Sequence, residues 1–402
     1  MIVKNKTFIL LVTNPNQSFV KIEIEMLAQQ VEVLIVISHT HRQADFELPT
    51  NVAFHFFSTD NYYSEAVNAS IVKVFLTDML QHGFNVRYVL KARKYLSYLR
   101  QAQCLKKQLA QFIGSEKMEI GTPILSFWCD MWAVSLALLK KDNATVKTYS
   151  RLHGRDLYEE RLPTTTFAIP FRPFVVKQLN GLFPISNHGT EYLKNKYPKW
   201  KDKITANYLG CPNFTVCHKA PIHLTILSIA TIRHLKRIHR IAEVVRDYPD
   251  NIHWIHIGGE ANRLNDETIA YTEKVIKEIG LQKNKQVTNI GAVAPNAIEK
   301  IVNEYNPHVL VNTSEYEGLP VSVMEALSMG VPCIATDVGG TGELVQSPFL
   351  LSANFSNDEL KQRLQYVFEN YASSWRTDAK NTWRELLQPA ICRKELLKLM
   401  QA

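Results

Sequence analysis

Short apolar runs alternate with longer amphipathic segments along the whole chain. The runs are rich in β-branched residues and have the length of buried strands, whereas the segments between them are long enough for helices. The predicted strands cover residues 7–13, 31–38, 123–128, 223–230, 252–259, 308–314 and 331–337. Such alternation indicates an α/β protein built from parallel sheets that are covered by helices.

The alternation restarts near residue 221, after a stretch with two prolines and no periodicity. The sequence therefore predicts two Rossmann-like domains that face a cleft. We place the domains at 1–210 and 221–378, with a hinge at 211–220 between them. Residues 379–402 form a predicted helical tail that is interrupted at Pro389.

Two carboxylates, Glu317 and Glu325, stand eight residues apart after the predicted strand 308–314. Gly318 and Pro320 indicate a loop there, followed by a helix that begins near residue 320. In an α/β fold such a helix start faces the carboxyl edge of the sheet, where polar and anionic ligands bind. A carboxylate accepts hydrogen bonds from two vicinal hydroxyls, so the pair indicates a site for a sugar or a ribose. Two ordinary surface carboxylates are the alternative.

The whole segment EYEGLPVSVMEALSMGVPCIATDVGGTGE (315–343) resembles the Glu-x7-Glu signature of family-4 retaining glycosyltransferases of the GT-B fold. The resemblance implies a donor that is a nucleoside-diphosphate sugar, held by the C-terminal domain. Glu325 would bind the ribose hydroxyls, and Glu317 would hold the donor sugar in a catalytic role. The backbone N–H groups of Gly318, Leu319 and Val321 would assist Glu317. The resemblance also implies that the N-terminal domain, 1–210, binds the acceptor, and that a last helix crosses back to this domain.

Basic residues follow the first predicted strand of the C-terminal half. Lys236 and Arg237 begin an amphipathic segment, where cations oppose the helix dipole unless an anion neutralises them. An exposed basic cluster is the alternative. The family has a lysine here that binds the donor diphosphate, which implies a catalytic role for Lys236. Many members carry arginine where this chain has Thr231, so we expect Arg233 or Arg237 to supply the second positive charge.

Glycines end two further strands of the C-terminal half. Gly258 and Gly259 would let a nucleotide approach the backbone, although tight turns need glycine in any case. Val293, shortly after Gly291, falls where the family binds the nucleotide base through backbone groups. A dehydrogenase is not indicated, because no Gly-x-Gly-x-x-Gly follows a predicted strand.

The segment SRLHGRDLYEERLP (150–163) resembles one found in bacterial glycosyltransferases that build capsular polysaccharide, exopolysaccharide or lipopolysaccharide. It implies that His153 faces the donor sugar across the cleft in a catalytic role, and that Arg151 or Asp156 orients sugar or acceptor. A loop-capping role for His153 is the alternative. The glycine-rich acceptor loop of the broader family is replaced by TNPNQS (13–18), so the acceptor geometry stays open.

The basic residues are concentrated in the N-terminal half. Residues 1–210 carry 26 Lys and Arg against 17 Asp and Glu, whereas residues 211–402 carry 20 against 21. The segment 87–109, with Arg87, Lys91 and Lys94 on one helical face, predicts either a solvated basic helix or a surface that rests on anionic lipid. Nucleic acid is not an expected partner, because no recognised nucleic-acid module accompanies these charges.

The chain begins with a predicted strand rather than a secretory signal. Its membrane-like stretch, 123–139, contains Asp130 and is interpreted as a buried strand followed by a core helix. The six cysteines have neither zinc nor disulfide spacing, which indicates reduced thiols. We therefore expect a cytoplasmic protein, peripheral on the inner face of the cytoplasmic membrane if the basic domain binds lipid.

These features together predict a retaining glycosyltransferase of the hexosyltransferase type. It would move a sugar from a nucleoside-diphosphate donor to a hydroxyl of a lipid-linked bacterial surface glycan. We expect no metal ion and no other cofactor, because the chain lacks the Asp-x-Asp that would ligate a divalent cation. The alternatives are a GT-B nucleotide-sugar epimerase or phosphorylase, and a non-catalytic sugar-binding subunit.

Overall fold

A computed structural model describes residues 7–60, 62–64, 69–81, 86–161, 170–217, 223–259 and 267–401. The chain forms two compact units. The first unit contains Met1–Tyr208 together with Ala390–Ala402, and the second contains Leu209–Pro389. Each unit is an α/β domain with its own sheet and its own apolar core, so the predicted class of two Rossmann-like domains is confirmed.

The first unit is built on a parallel six-stranded sheet with the order β3-β2-β1-β4-β5-β6. Its strands are β1 (Thr7–Val12), β2 (Val33–Ser38), β3 (Val52–Phe56), β4 (Pro123–Ser126), β5 (Lys147–Leu152) and β6 (Gly181–Pro184). The strands β1, β2 and β4 are almost wholly buried, as their continuous apolar runs predict.

Helices cover both faces of this sheet, as in other doubly wound folds. They are α1 (Ser18–Ala28), α2 (Ala69–Gln81), α3 (Val86–Ser115), α4 (Met131–Asp142), α5 (Gly154–Leu157), α6 (Arg172–Gln178) and α7 (Asn187–Lys196). The interpretation of 123–139 as a strand and a core helix is correct, since Trp132 and the apolar residues after it in α4 are buried. Within the described part of the chain, no helix is both long and apolar enough to cross a bilayer.

The second unit repeats this architecture with the strand order β12-β11-β10-β7-β8-β9, again parallel throughout. Its strands are β7 (Leu224–Ile229), β8 (Ile252–Ile257), β9 (Lys285–Gly291), β10 (Val309–Asn312), β11 (Cys333–Thr336) and β12 (Leu350–Leu351). Its helices are α8 (Ile238–Arg246), α9 (Glu267–Gly280), α10 (Pro295–Tyr305), α11 (Val321–Ser328), α12 (Asn357–Glu369) and α13 (Ser374–Leu386).

The strand order reverses between β7 and β10, which lie side by side although five elements separate them in the chain. Ligands of open α/β sheets bind outside the carboxyl ends of the strands at such a switch point. The loops that follow β7 and β10 carry Lys236 and Glu317, respectively. The topology therefore brings together the two charged segments that the sequence singles out.

The helical tail divides between the two units. The predicted tail starts at residue 379, but α13 belongs to the second unit and only the helix after it, α14 (Pro389–Gln401), belongs to the first. The break predicted at Pro389 is where α14 begins. Of the predicted hinge, residues 211–217 belong to the second unit, where the N–H of Thr215 donates to Glu299 Oε1 over 2.7 Å. Residues 218–220 lie outside the described residues.

Candidate functional site

The loop between β10 and α11 holds Glu317. The helix begins at Val321 after Pro320, as the proline predicts, and Gly318 and Leu319 are buried in the loop. Among the described residues, none accepts a hydrogen bond from the N–H groups of Gly318, Leu319 or Val321. Unpaired N–H groups at a helix start carry partial positive charge and favour an anion or a ligand oxygen beside them.

Lys236 and Glu317 form an ion pair at the switch point. Lys236 ends a short 3₁₀ turn after β7, and its Nζ lies 2.5 Å from Glu317 Oε1. Both side chains are largely buried, with 19% and 11% of their surface exposed. An ammonium group has three N–H donors, and this contact uses one of them, so Lys236 can hold Glu317 and a phosphate oxygen at the same time.

Gly339 fixes the backbone of the Glu317 loop. It adopts a left-handed φ of +60°, and a Cβ at this position would lie 1.9 Å from the carbonyl oxygen of Glu317. The next residue, Gly340, donates its N–H to the carbonyl oxygen of Gly318 over 2.9 Å. The sequence resemblance included this Gly-Gly turn without a role for it. The structure shows that the turn packs directly on the loop that carries the acid.

Replacement of Gly339 with alanine is expected to displace the Glu317 loop. The new methyl group would overlap a backbone oxygen and would also strain a left-handed residue, which together cost about 2 kcal/mol or more of stability. The melting temperature should fall, and any activity that needs Glu317 should fall with it. Gly280→Ala is the matched control, because a Cβ there meets nothing within 4 Å. Equal melting temperatures for the two variants would contradict this role of Gly339.

Glu325 presents a carboxylate that has no internal partner. It lies on the second turn of α11 and is partly buried, and no described residue donates a hydrogen bond to its carboxylate. Burial removes water from the carboxyl group and raises its pKa to about 7. Such a group gains free energy from a ligand that donates hydrogen bonds to it, as two vicinal hydroxyls would.

Arg237 makes contacts that stabilise the loop after β10. The residue is left-handed, with φ of 48°, and its Nε and Nη2 donate to the carbonyl oxygens of Thr313 and Ser314 over 2.6 and 3.0 Å. Its Nη1 donates to Ala353 O over 3.0 Å. The Arg237 side chain thus links neighbouring loops. Its role in donor binding stays a prediction. Arg233 is exposed, and no described residue forms an ion pair or a hydrogen bond with its side chain.

Gly258 and Gly259 directly follow β8, at the carboxyl edge of the second sheet. A Cβ on Gly258 would lie 1.9 Å from Ala230 O, so glycine lets the ends of β7 and β8 approach each other. The N–H of Ile232 donates to Gly259 O over 3.0 Å, which secures the chain that leads to Lys236. Val293 is partly buried in the loop between β9 and α10. These packing contacts account for the two glycines without a ligand, and their nucleotide-binding role is a prediction.

His153 lies in the first unit, directly after β5. Its imidazole is 5% exposed and packs on Trp128, with ring centroids 4.0 Å apart. Neither ring nitrogen has a hydrogen-bond partner, because Asp156 Oδ2 is 3.9 Å from Nδ1 and too distant to accept. Burial lowers the pKa of His153, which keeps the ring neutral near pH 7. The ring is held by its packing on Trp128, and its role in facing a sugar stays a prediction.

Asp156 caps the short helix α5 from within. Its Oδ1 accepts from the backbone N–H of His153 over 2.5 Å, and its Oδ2 accepts from the N–H of Cys129 over 2.6 Å. The carboxylate therefore fixes the positions of His153 and of the loop after β4. A role in orienting a sugar would act through these neighbours, and it stays a prediction.

Arg151 requires a correction. It was predicted to orient sugar or acceptor, but its side chain is completely buried below the sheet edge. Its guanidinium lies 2.9 Å from Glu23 Oε1 and donates to Asn207 Oδ1 over 2.7 Å. Glu23 also pairs with Arg393 of α14. Because these contacts are internal, Arg151 belongs to the framework that supports His153 rather than to a surface that meets ligands.

The described residues contain no group of three or more His, Cys, Asp or Glu side chains arranged to hold a metal ion. All six cysteines are free thiols, and five of them are buried.

Comparison with known sequences finds similarity in the second unit. A sequence family described as glycosyl transferases group 1 matches residues 220–383. Two relatives from Escherichia coli, the O-antigen biosynthesis glycosyltransferase WbnH and the probable O-antigen biosynthesis glycosyltransferase WbiN, are each 26% identical over 172 residues. That match covers 42% of this chain and 45% of either relative, so it spans less than half of their length.

Solved structures share the fold over nearly the whole chain. HepE (Alr3699) of Anabaena, crystallised with UDP, has a TM-score of 0.67 at 12% identity, covering 98% of this chain and 99% of HepE. The lipopolysaccharide outer core galactosyltransferase WaaB has a TM-score of 0.65 at 12% identity, covering 96% and 97% of the two chains. These similarities confirm the predicted GT-B fold.

Proposed function

Because its second unit carries a glycosyl transferases group 1 domain, we propose that this chain transfers a sugar from a nucleoside-diphosphate donor to a hydroxyl group, with retention of configuration. The observation that carries the proposal is the set of three groups at the switch point of the second sheet. Lys236 and Glu317 are paired there, and Glu325 on the adjoining helix has an unpartnered carboxylate.

Each group has a distinct task in the proposed reaction. Glu325 accepts hydrogen bonds from the two ribose hydroxyls, which offsets its loss of hydration. Lys236 and the free N–H groups at the start of α11 neutralise the charge that accumulates on the diphosphate as it leaves. Glu317, held by Lys236, bonds to hydroxyls of the donor sugar. Proton NMR of the first product checks retention, since donor and product must share the anomeric configuration.

We propose that this charge stabilisation requires no divalent cation. An ammonium group and oriented backbone dipoles replace the metal that many nucleotide-sugar enzymes use to stabilise the leaving diphosphate. Transfer measured with and without EDTA should proceed at the same rate. A rate that recovers only on addition of Mg²⁺ or Mn²⁺ would contradict this part of the proposal.

Binding of nucleotide should release a proton near pH 7. The pKa of Glu325 is raised from 4.5 to about 7 in the folded protein, whereas hydrogen bonds from ribose favour the ionised carboxylate and lower it again. Calorimetric titration with UDP and with GDP, in two buffers of different ionisation enthalpy, measures this release. Glu325→Gln should abolish it and weaken binding about tenfold to a hundredfold.

The raised pKa of Glu325 should also make the stability of the ligand-free protein fall as the pH rises. A carboxyl group whose folded pKa lies above its unfolded value contributes most stability below about pH 4.5, and the contribution is lost as the pH rises to about 7. Glu325→Gln should therefore raise the melting temperature of the free protein at pH 8. If Glu325→Gln binds nucleotide more weakly but does not melt at a higher temperature, the weaker binding would indicate misfolding rather than a lost ribose contact.

Two O-antigen relatives support a glycan acceptor, and the surface of the first unit suggests that the acceptor is lipid-linked. The basic helix α3 contains no acidic residue. Beside it, α2 exposes Val72, Leu76 and Leu80 at intervals of four residues, with Leu76 and Leu80 43% and 55% exposed. An apolar stripe next to a basic helix fits the surface of an anionic membrane.

Sedimentation with vesicles tests this lipid surface. The protein should bind vesicles of phosphatidylcholine that contain phosphatidylglycerol, and less so vesicles of phosphatidylcholine alone. The double variant Leu76→Ser, Leu80→Ser should remain in the supernatant. Leu281→Ser is the control, because Leu281 is the more exposed residue but lies on the second unit. Equal sedimentation of both variants would exclude the stripe on α2 as the lipid contact.

A further inference from the structure

A basic cavity lies in the second unit, between the segment 213–216, the end of helix α11 and one face of helix α13. Its volume is about 350 Å³, which is within the range of cavities that hold small ligands. Three of its ten described lining residues are cations, namely Arg376, Lys380 and Arg384, and none of the ten carries a carboxylate. The cavity is therefore lined by positive charge alone.

This cavity is separate from the proposed donor site. Helix α11 begins at Val321, beside the loop that holds Glu317, and ends at Ser328. Met329 and Gly330, which follow the helix and lead towards the start of β11, line the cavity. A helix of eight residues is about 12 Å long, so the cavity lies at the opposite end of α11 from Glu317. A ligand here would be a second ligand and not the sugar donor.

The three cations of the cavity repel one another. They stand four residues apart on α13 and so share one face of the helix, where like charges are destabilising. Burial lowers the pKa of Lys380, and the charge of Arg384 lowers it further. Glu299 of α10 offsets part of this effect, while its carboxylate accepts the N–H of Thr215 over 2.7 Å. Because the pKa of Lys380 remains lowered, an anion in the cavity would be favoured.

Contacts within the chain account for Lys380 but not for Arg384. Lys380 Nζ donates to Asn213 Oδ1 over 2.6 Å and to two backbone carbonyls, of which that of Ser328 ends α11. A cation is favoured at such a helix C-terminus in any case. Arg384 is exposed, and its Nη1 donates to Asn381 Oδ1 over 2.9 Å. No described residue accepts from its Nε or Nη2, so these groups are available to a ligand at the cavity.

We propose that this cavity binds a small phosphate ester. Arg384 donates to the phosphate oxygens, since a guanidinium group matches phosphate geometry, and Arg376 and Lys380 contribute their charges. Val216 and Met329 supply apolar wall, which suits the carbon part of an organic ester better than the bare ion. The inference goes beyond the proposed transfer reaction and does not rest on it. Such a ligand would connect α13 with the segment 213–216.

Hydrogen-exchange mass spectrometry on the full chain locates the binding. The probes are inorganic phosphate, glycerol 3-phosphate, ribose 5-phosphate and glucose 6-phosphate, each measured alone. With at least one of the esters, the amides of residues 213–217 should exchange more slowly, whereas those of the loop 315–320 should not change. Arg384→Gln should weaken this binding about tenfold, because it removes a charge-assisted hydrogen bond. The variant should fold, since the side chain is exposed.

Two further variants separate charge from shape. Thr377→Trp places a large side chain in the cavity without changing its charge, and it should abolish the protection of residues 213–217. Lys300→Gln is the matched control for Arg384→Gln, because it removes an exposed cation from the neighbouring helix α10 but outside the cavity. Its protection pattern should equal that of the wild type.

Lys236→Ala distinguishes this cavity from the donor site, and the protection of residues 213–217 should persist in it. If no probe protects 213–217, or if Arg384→Gln and Thr377→Trp both retain the protection, the phosphate site is overturned. Protection that is confined to 315–320 and is lost in Lys236→Ala would mean binding at the donor site only. That result would also overturn the second site, and it would leave the proposed transfer reaction intact.

Discussion

Alanine in place of Lys236 is expected to lower the rate of sugar transfer about 10²-fold to 10³-fold, the usual effect of removing one donor that stabilises charge in a transition state. The ammonium lies 2.5 Å from Glu317, so its loss removes a largely buried cation from the ion pair at the switch point. Product formation at saturating donor concentration measures the effect. The loss should appear in kcat more than in KM, because the diphosphate charge grows as the bond breaks.

Lys274→Ala is the control for Lys236→Ala, since Lys274 is an exposed lysine of the same unit that pairs only loosely with Glu278 at 4.0 Å. Its transfer rate should equal that of the wild type. Lys236→Arg should recover part of the lost rate if charge is what matters at this position. An unchanged rate in Lys236→Ala would remove the lysine from the reaction.

The second large effect is expected on stability, from Glu23→Gln. Glu23 is completely buried and bonds to both Arg151 and Arg393, so its neutralisation leaves two buried guanidinium groups without a counter-charge. Breaking a buried pair in this way costs about 3–5 kcal/mol. For a unit of this size the melting temperature should fall by about 10 °C.

Glu25→Gln is a matched control for Glu23→Gln. It makes the same chemical change on the same helix, but Glu25 is exposed and lies 4.0 Å from Lys21, a pair worth at most about 1 kcal/mol. Scanning calorimetry should show a lower transition for the first unit in Glu23→Gln and no such shift in Glu25→Gln. Equal transitions would mean that the cluster contributes little to stability.

The placement of Glu317 and Glu325 was predictable because both residues lie within one local pattern. Pro320 marks the helix start, the apolar run before it marks β10, and the spacing of Glu317 and Glu325 then follows from the helix. The pairing of Lys236 with Glu317 was not predicted, because it depends on β7 and β10 lying side by side in the sheet. The contact between Gly339 and Glu317 was not predictable, because local sequence patterns do not show which loops meet in the fold.

Arg151 shows why the environment of a side chain could not always be predicted. Its partners, Glu23 and Arg393, are far from it in the chain, so local sequence could not reveal that it is buried. Several strands were also missed for local reasons: β9 has polar residues along its length, β12 has two residues, and β6 contains glycine and proline.

The helix α14 has a consequence for the order in which the protein can fold. It belongs to the first unit but is synthesised after the whole of the second, and it supplies Arg393 to Glu23 and the carbonyl group of Met400 to the hydroxyl of Tyr149 over 2.6 Å. On the ribosome, the half of the chain that emerges first must therefore wait for residues 389–401 before these two contacts can form. The second unit is one continuous stretch of the chain, so it can reach its native state before the first unit although it is made later.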